Sequence, residues 1–235
     1  MIITVRSLWY AARSTCALLA VASGVGCWDD RVAFWVDLRT DFVPGSEFAT
    51  VETETEAPGN VRHAPPFRAT VFQQFDRGVR VAVFDEMTRS TTFVRMTLVD
   101  RAGAPIATRR ARVQLDYPST YTMLVTRACR DVSCPGPADP ADATECLGAR
   151  CVTPACVPGY GCTVDGCARA ADCPSGAGCA SPGCVDGVCW LAPDRDRCAP
   201  LQYCHVAVGC LDLYPDPDSG TADIDGGAEP DASAP

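Results

Sequence analysis

Fourteen of the sixteen cysteines in this 235-residue chain fall within residues 129–210, and they constrain its fold more than any other feature. They are Cys129, Cys134, Cys146, Cys151, Cys156, Cys162, Cys167, Cys173, Cys179, Cys184, Cys189, Cys198, Cys204 and Cys210. From Cys146 to Cys189 each follows the last by five or six positions, and no CxxC occurs. Structural zinc sites present ligands in tight knuckles, and the shortest interval here, four intervening residues, is at the loose edge of that range. Haem attachment needs CxxCH, and dithiol redox chemistry needs a thiolate beside its resolving partner as CxxC. The fourteen therefore read as structural disulfides, with no metal and no cofactor. Their pairing stays open, since fourteen cysteines permit on the order of 10^5 connectivities.

Composition explains why this segment needs staples. Residues 129–210 hold only eleven Val, Leu, Ile or Phe, too few for an ordinary apolar core. Each crosslink restricts the unfolded chain and contributes roughly 2–4 kcal/mol, so even a few outweigh so sparse a core. Pro and Gly fill the intervals, which predicts a loop-dominated scaffold with short strands at most.

Disulfides form in an oxidising compartment, so an export signal is expected at the N-terminus. Arg6 and Arg13 precede an apolar stretch, residues 16–25, that is too short to span a bilayer and suits a signal h-region. It ends in Gly24, Val25, Gly26 and Cys27. Small residues before a cysteine resemble the lipobox of bacterial lipoproteins, which implies cleavage before Cys27 and lipidation of that residue. Gly24 stands where the lipobox usually has Leu, and cleavage after Ala22 is the alternative. Parity separates the two: the first leaves fourteen cysteines for pairing, the second fifteen. The reading is a signal peptide over 1–26, a lipid-anchor linker over 27–30, and an outer-membrane or cell-surface protein. A periplasmic or secreted protein is the alternative.

Residues 32–127 differ sharply, with 26 Val, Leu, Ile or Phe and no cysteine, which places a domain boundary near Arg127. Strands are predicted from alternation: Val32, Phe34, Val36 and Leu38; Val79, Val81 and Val83; Phe93, Thr97 and Val99; and Val113 with Leu115. Over residues 51–56, Val and Thr alternate with Glu52, Glu54 and Glu56, as in a strand with one solvated face. Phe93 through Asp100, Gly103 and Pro105 to Val113 reads as a hairpin. The class is mainly β: an immunoglobulin-like or transthyretin-like sandwich over 31–128, the disulfide-rich module over 129–210, and a disordered acidic tail over 211–235.

Within the sandwich, DLRTDFVPGSEF over residues 37–48 stands out. Asp37, Arg39 and Asp41 are superficially similar to the DxSxS metal site of von Willebrand factor A domains, but Arg39 puts a cation where the first hydroxyl should be. The simpler reading is a strand end followed by a Pro-Gly turn. An export signal ending in cysteine, this DLRTDFVPGSEF run, a sandwich and a cysteine block together resemble predicted cell-surface lipoproteins of myxobacteria. The portion from Cys167 through Cys173, Pro174, Cys179, Cys184, Gly187 and Cys189 is similar to extracellular dickkopf-like modules. The resemblance implies location and architecture and carries no activity.

Several functions are disfavoured by absence of their parts. The basic residues are all Arg, so Schiff-base lysines and P-loops are out. Neither HExxH nor GxSxG occurs, and His63 and His205 are the only histidines, with His205 reading as an ordinary loop residue. An α/β-barrel would need strand–helix units that are not here. The net charge of −9 leaves no basic patch for nucleic acid. Residues 211–235 carry seven acids and no base, without the register of a calcium-binding EF-hand loop. The expectation is a non-catalytic binding or adhesion protein of the cell envelope, held to the membrane by its N-terminal lipid, whose partner is an unknown protein or glycan at the cell surface. A structural component with a protease-resistant cysteine-rich spacer is the alternative; a secreted inhibitor or an enzyme ranks below both.

Overall fold

The computed structural model describes residues 30–157, 162, 164 and 166–213. The export segment, the Cys27 lipidation site and residues 214–235 of the acidic tail lie outside the described residues. Eight strands build the N-terminal part: β1 (Arg31–Thr40), β2 (Thr50–Ala57), β3 (Asn60–His63), β4 (Phe67–Arg68), β5 (Val79–Thr88), β6 (Thr91–Val99), β7 (Pro105–Gln114) and β8 (Ser119–Val125). One sheet has the order β5-β1-β8, with β1 antiparallel to β5 and parallel to β8. The other runs β3-β2-β6-β7, with β4 also on β2. Their inner faces meet in one core that includes Phe34, Leu38, Phe48, Met96, Leu98 and Met123.

Alternation decides the faces where the ladder is regular. Val32, Phe34, Val36 and Leu38 of β1 all point inward. On β2, Val51, Thr53 and Thr55 are buried while the glutamates face out. There Glu54 and Glu56 pair with Arg95 at 3.2 and 2.8 Å, and Glu56 also with Arg110 at 2.6 Å. The hairpin of β6 and β7 closes as expected, with Asp100 Oδ1 accepting from the N–H groups of Ala102 and Ala104 and Gly103 at positive φ.

Two strands depart from the expected faces. On β5 the Val79, Val81, Val83 alternation breaks, because the register against β1 shifts between Val36↔Ala82 and Asp37↔Arg80. This bulge adds one residue on β5 and reverses the parity. Ala82 and Phe84 then turn inward, and Val83 is 46% exposed. On β6 the buried set is Thr92, Val94, Met96 and Leu98, and Val99 at the strand end is buried as expected. Phe93 and Thr97 lie on the outer face instead, Phe93 beneath the Arg110 guanidinium at 3.8 Å and Thr97 against Thr108, hydroxyl to hydroxyl, at 3.2 Å. An aromatic covered by a cation needs no place in the core.

The cysteine-rich module is three antiparallel hairpins: β9 (Glu145–Leu147) with β10 (Arg150–Val152), β11 (Ala180–Val185) with β12 (Val188–Pro193), and β13 (Gln202–His205) with β14 (Gly209–Asp212). All fourteen cysteines pair: Cys129–Cys146, Cys134–Cys151, Cys156–Cys162, Cys167–Cys184, Cys173–Cys189, Cys179–Cys204 and Cys198–Cys210. One plan repeats. Each hairpin sets two cysteines opposite one another, Cys146 and Cys151, Cys184 and Cys189, Cys204 and Cys210. These do not bond to each other; each reaches an upstream cysteine, so the two bridges of a unit interleave. In the first two units a two-residue turn joins the strands, Gly148-Ala149 and Asp186-Gly187, with all four residues at positive φ. That is the backbone a tight hairpin demands.

Little apolar mass is needed under such stapling, and among the described residues the module has two small buried clusters. One of them, Leu147, Val164 and Val188, includes Leu124 of β8, so the module shares core with the sandwich. It also covers the edge strand β7, where the Arg110 N–H donates to Glu145 Oε2 at 2.7 Å and the Arg112 N–H to the Pro154 carbonyl at 2.7 Å. An open sheet edge carries unpaired backbone groups, and here the module satisfies them.

Candidate functional site

The DLRTDFVPGSEF segment forms the joint between sandwich and module. It begins on β1, leaves the sheet after Thr40, and returns toward β2. Phe42 and Phe48 enter the core and anchor the turn at both ends. Between them the Glu47 N–H donates to the Val43 carbonyl at 2.9 Å and the Gly45 N–H to the Phe48 carbonyl at 2.7 Å. Gly45 has φ of 72°, and a Cβ on it would lie 2.8 Å from the Val71 nitrogen, so both conformation and space call for glycine. The strand-end and Pro-Gly reading therefore describes the segment.

This geometry turns two carboxylates toward the module. Asp41 is buried, with Oδ1 accepting from the Arg127 N–H at 2.6 Å and Oδ2 from the Leu191 N–H of β12 at 3.2 Å. Burial pushes its carboxyl above the usual value, opposed by those two hydrogen bonds and by the Arg127 charge. Glu47, its side chain only 8% exposed, accepts from the Val43 N–H at 2.8 Å and from the Arg127 guanidinium. Its other oxygen lies 3.0 Å from Arg130 and 3.7 Å from His205 Nε2. Arg39 lies over the Trp190 ring at 4.1 Å, and the hydroxyls of Ser46 and Tyr203 are 3.1 Å apart.

A serine, a histidine and a glutamate thus meet at one joint, but they are not wired as nucleophile, base and orienting acid. Ser46 bonds Tyr203, and His205 Nδ1 accepts from the Val208 N–H at 3.2 Å. Burial lowers the His205 pKa and so do Arg127 and Arg130, against the Glu47 charge. His205 is therefore a packed joint residue rather than a loop histidine. His63 stands apart, exposed and 3.1 Å from Glu54 on the outer face of β2.

No metal centre assembles from the residues considered for one. Asp37 pairs with Arg80 on the outer face at 2.5 Å, Arg39 stacks on Trp190, and Asp41 is spent on backbone N–H groups. Two sulfur triplets, Cys167, Cys173 and Cys189 and then Cys179, Cys198 and Cys210, each gather within 4.8 Å. Every one of those sulfurs is in a disulfide and has no thiolate to offer.

Arg109 escaped sequence reasoning altogether. It sits on the inner face of β7 between Ala107 and Ala111, 1% exposed. Nη1 donates to the Leu124 carbonyl at 2.5 Å, and Nη2 to the Cys156 carbonyl of the module at 3.3 Å. Burial pushes its pKa down, with Tyr121 and Glu145 opposing. A run of Arg109, Arg110 and Arg112 reads as a solvated face, but the first member turns inward on β7, where β8 of the sandwich and Cys156 of the module supply its acceptors. No family model, no curated protein and no solved structure matches the chain, so the case for its function rests on its own residues.

Proposed function

We propose that this chain is an exported, lipid-anchored cell-envelope protein with a non-catalytic binding role. The observation that carries this reading is the joint. The groups best suited to acid–base chemistry, Asp41, Glu47 and His205, are committed to holding a stapled module against a sandwich. Such a scaffold presents loops at fixed positions, which suits recognition. Seven disulfides fit an exported protein, and among the described residues no helix is long and apolar enough to cross a membrane. The spacer reading is the weaker one, because a spacer has no use for a module folded back along β7.

Two measurements test the proposal. Intact mass and fractionation of the mature protein should give an acylated chain beginning at Cys27 that moves to the soluble fraction in Cys27→Ser; an unmodified chain beginning at Ser23 would refute the anchor. Soluble Cys27→Ser protein should bind isolated cell envelopes saturably, and failure to do so would refute the binding role.

A further inference from the structure

Between sandwich and module, at the end of β7 and the start of β8, lies a cleft of about 420 Å³ lined on one side by Ala155 and Val157 of the module. Its volume is within the usual range for small-ligand sites, roughly 300–1,000 Å³. Its lining divides into two kinds of surface. Tyr117, at the tip of the β7–β8 turn, presents its ring to solvent, 69% exposed, beside Val113 and Val157. Opposite functions come from Arg112, Gln114 and Asp116.

These polar groups are pre-oriented. The Thr91 hydroxyl donates to Gln114 Oε1 at 2.5 Å, which turns the amide so that Nε2 donates to Asp116 Oδ1 at 2.9 Å. That relay holds the Asp116 carboxylate in place while leaving it lone pairs to accept from a ligand. Among the described residues no carboxylate pairs with the Arg112 guanidinium, although its backbone N–H is held by Pro154. A fixed acceptor, a donor fork and an exposed aromatic ring around one cleft match a ligand with adjacent hydroxyls on its edge and C–H groups on its face.

We propose that this cleft binds a saccharide, with the sugar face stacked on Tyr117 and two neighbouring hydroxyls held by Asp116 and Arg112. The charges of Asp116 and Arg112 balance, which suits a neutral sugar unit better than an anion. This inference rests on the binding role proposed above and supplies its ligand class. It also gives the folded-back module a purpose, because Ala155 and Val157 supply part of the cleft's lining.

The test uses the mature chain with Cys27→Ser and two soluble probes, maltotriose and the N-acetylglucosamine trimer, by calorimetry and by chemical-shift perturbation. At least one should bind saturably with a dissociation constant at or below about 1 mM. Tyr117→Ala and Asp116→Asn should each weaken that binding about tenfold or more while leaving thermal unfolding unchanged, since neither side chain is buried. Absence of binding by both probes at about 10 mM, or binding indifferent to both substitutions, would overturn the site. Envelope binding by the same variants keeps the two proposals distinct. If envelope binding persists in Tyr117→Ala and no probe binds, the cleft is refuted and the binding role stands; if a probe binds and envelopes do not, the reverse holds.

Discussion

Replacing Glu47 with Ala is the most direct test of the joint. The carboxylate is 8% exposed and its nearest cation, Arg127, is 17% exposed, so both have lost most of their water. Removing one partner of a buried pair costs about 3–5 kcal/mol, because the other charge is left buried and uncompensated. Arg130 is 37% exposed and falls in the regime where an ion pair contributes about 0–1 kcal/mol. Loss of the acceptor for the Val43 N–H adds up to about 1 kcal/mol if water enters the space. The expected cost is about 4 kcal/mol, or a fall in Tm of about 8–16 °C for a folded body of this size. Urea unfolding at neutral pH with disulfides intact measures it. Glu47→Gln, which keeps the shape and an acceptor for Val43, should recover part of the loss. Combined with Arg127→Met, Glu47→Ala should cost at least about 2 kcal/mol less than the sum of the singles. A cost below about 1 kcal/mol, or simple additivity, would refute the reasoning and make the joint an ordinary surface ion pair.

Three further outcomes are expected. His205 has a folded pKa below its ordinary value of 6.5, so the folded state binds fewer protons than the unfolded chain. Its contribution is present above 6.5 and is lost as pH falls through the folded value, whereas the raised Asp41 carboxyl acts in the opposite sense as pH falls through its folded value toward 3.8. Unfolding free energy should therefore fall as pH drops below about 6.5, and the slope should shrink in His205→Gln; an unchanged slope would contradict the placement of His205. Gly45→Ala forces positive φ on a residue with a Cβ 2.8 Å from the Val71 nitrogen, and should destabilise by about 3 kcal/mol in the same urea assay. Among the disulfides, paired Cys→Ala replacement of Cys129–Cys146, separation 17, should cost about 3 kcal/mol and of Cys156–Cys162, separation 6, about 2 kcal/mol. The reverse order would show that loop closure does not govern their contributions.

How much of the fold was legible depended on how local the cause was. The inward face of β1 and the solvated glutamates of β2 follow from period two and nothing else. Val83 defeated the same rule, because a bulge is set by how β5 must fit β1 and leaves no mark in β5 alone. Phe93 defeated it for a different reason: its cover is Arg110 on the neighbouring strand. The hairpin turns Gly148-Ala149 and Asp186-Gly187 each sit between cysteines five apart, and that recurrence was a legible trace of the repeated unit.

The candidate site was less legible. The 37–48 segment was conspicuous as a string, but its acids acquire meaning only from Arg127, Arg130, Leu191 and His205, up to 158 positions away. Arg109 gave no signal, because nothing in its own run of arginines marks which one turns inward, and its acceptors, the Leu124 and Cys156 carbonyls, lie on other elements.

The sequence by itself determined that the chain divides into an apolar, cysteine-free β part and a crosslinked part too poor in apolar residues to fold unaided. It did so because composition and period two act within a few residues. Only the tertiary structure decided which cysteines pair, that the module lies back along β7, and that Asp41 and Glu47 serve the joint. Those outcomes depend on which distant surfaces lose water against each other, and no stretch of chain carries that information alone.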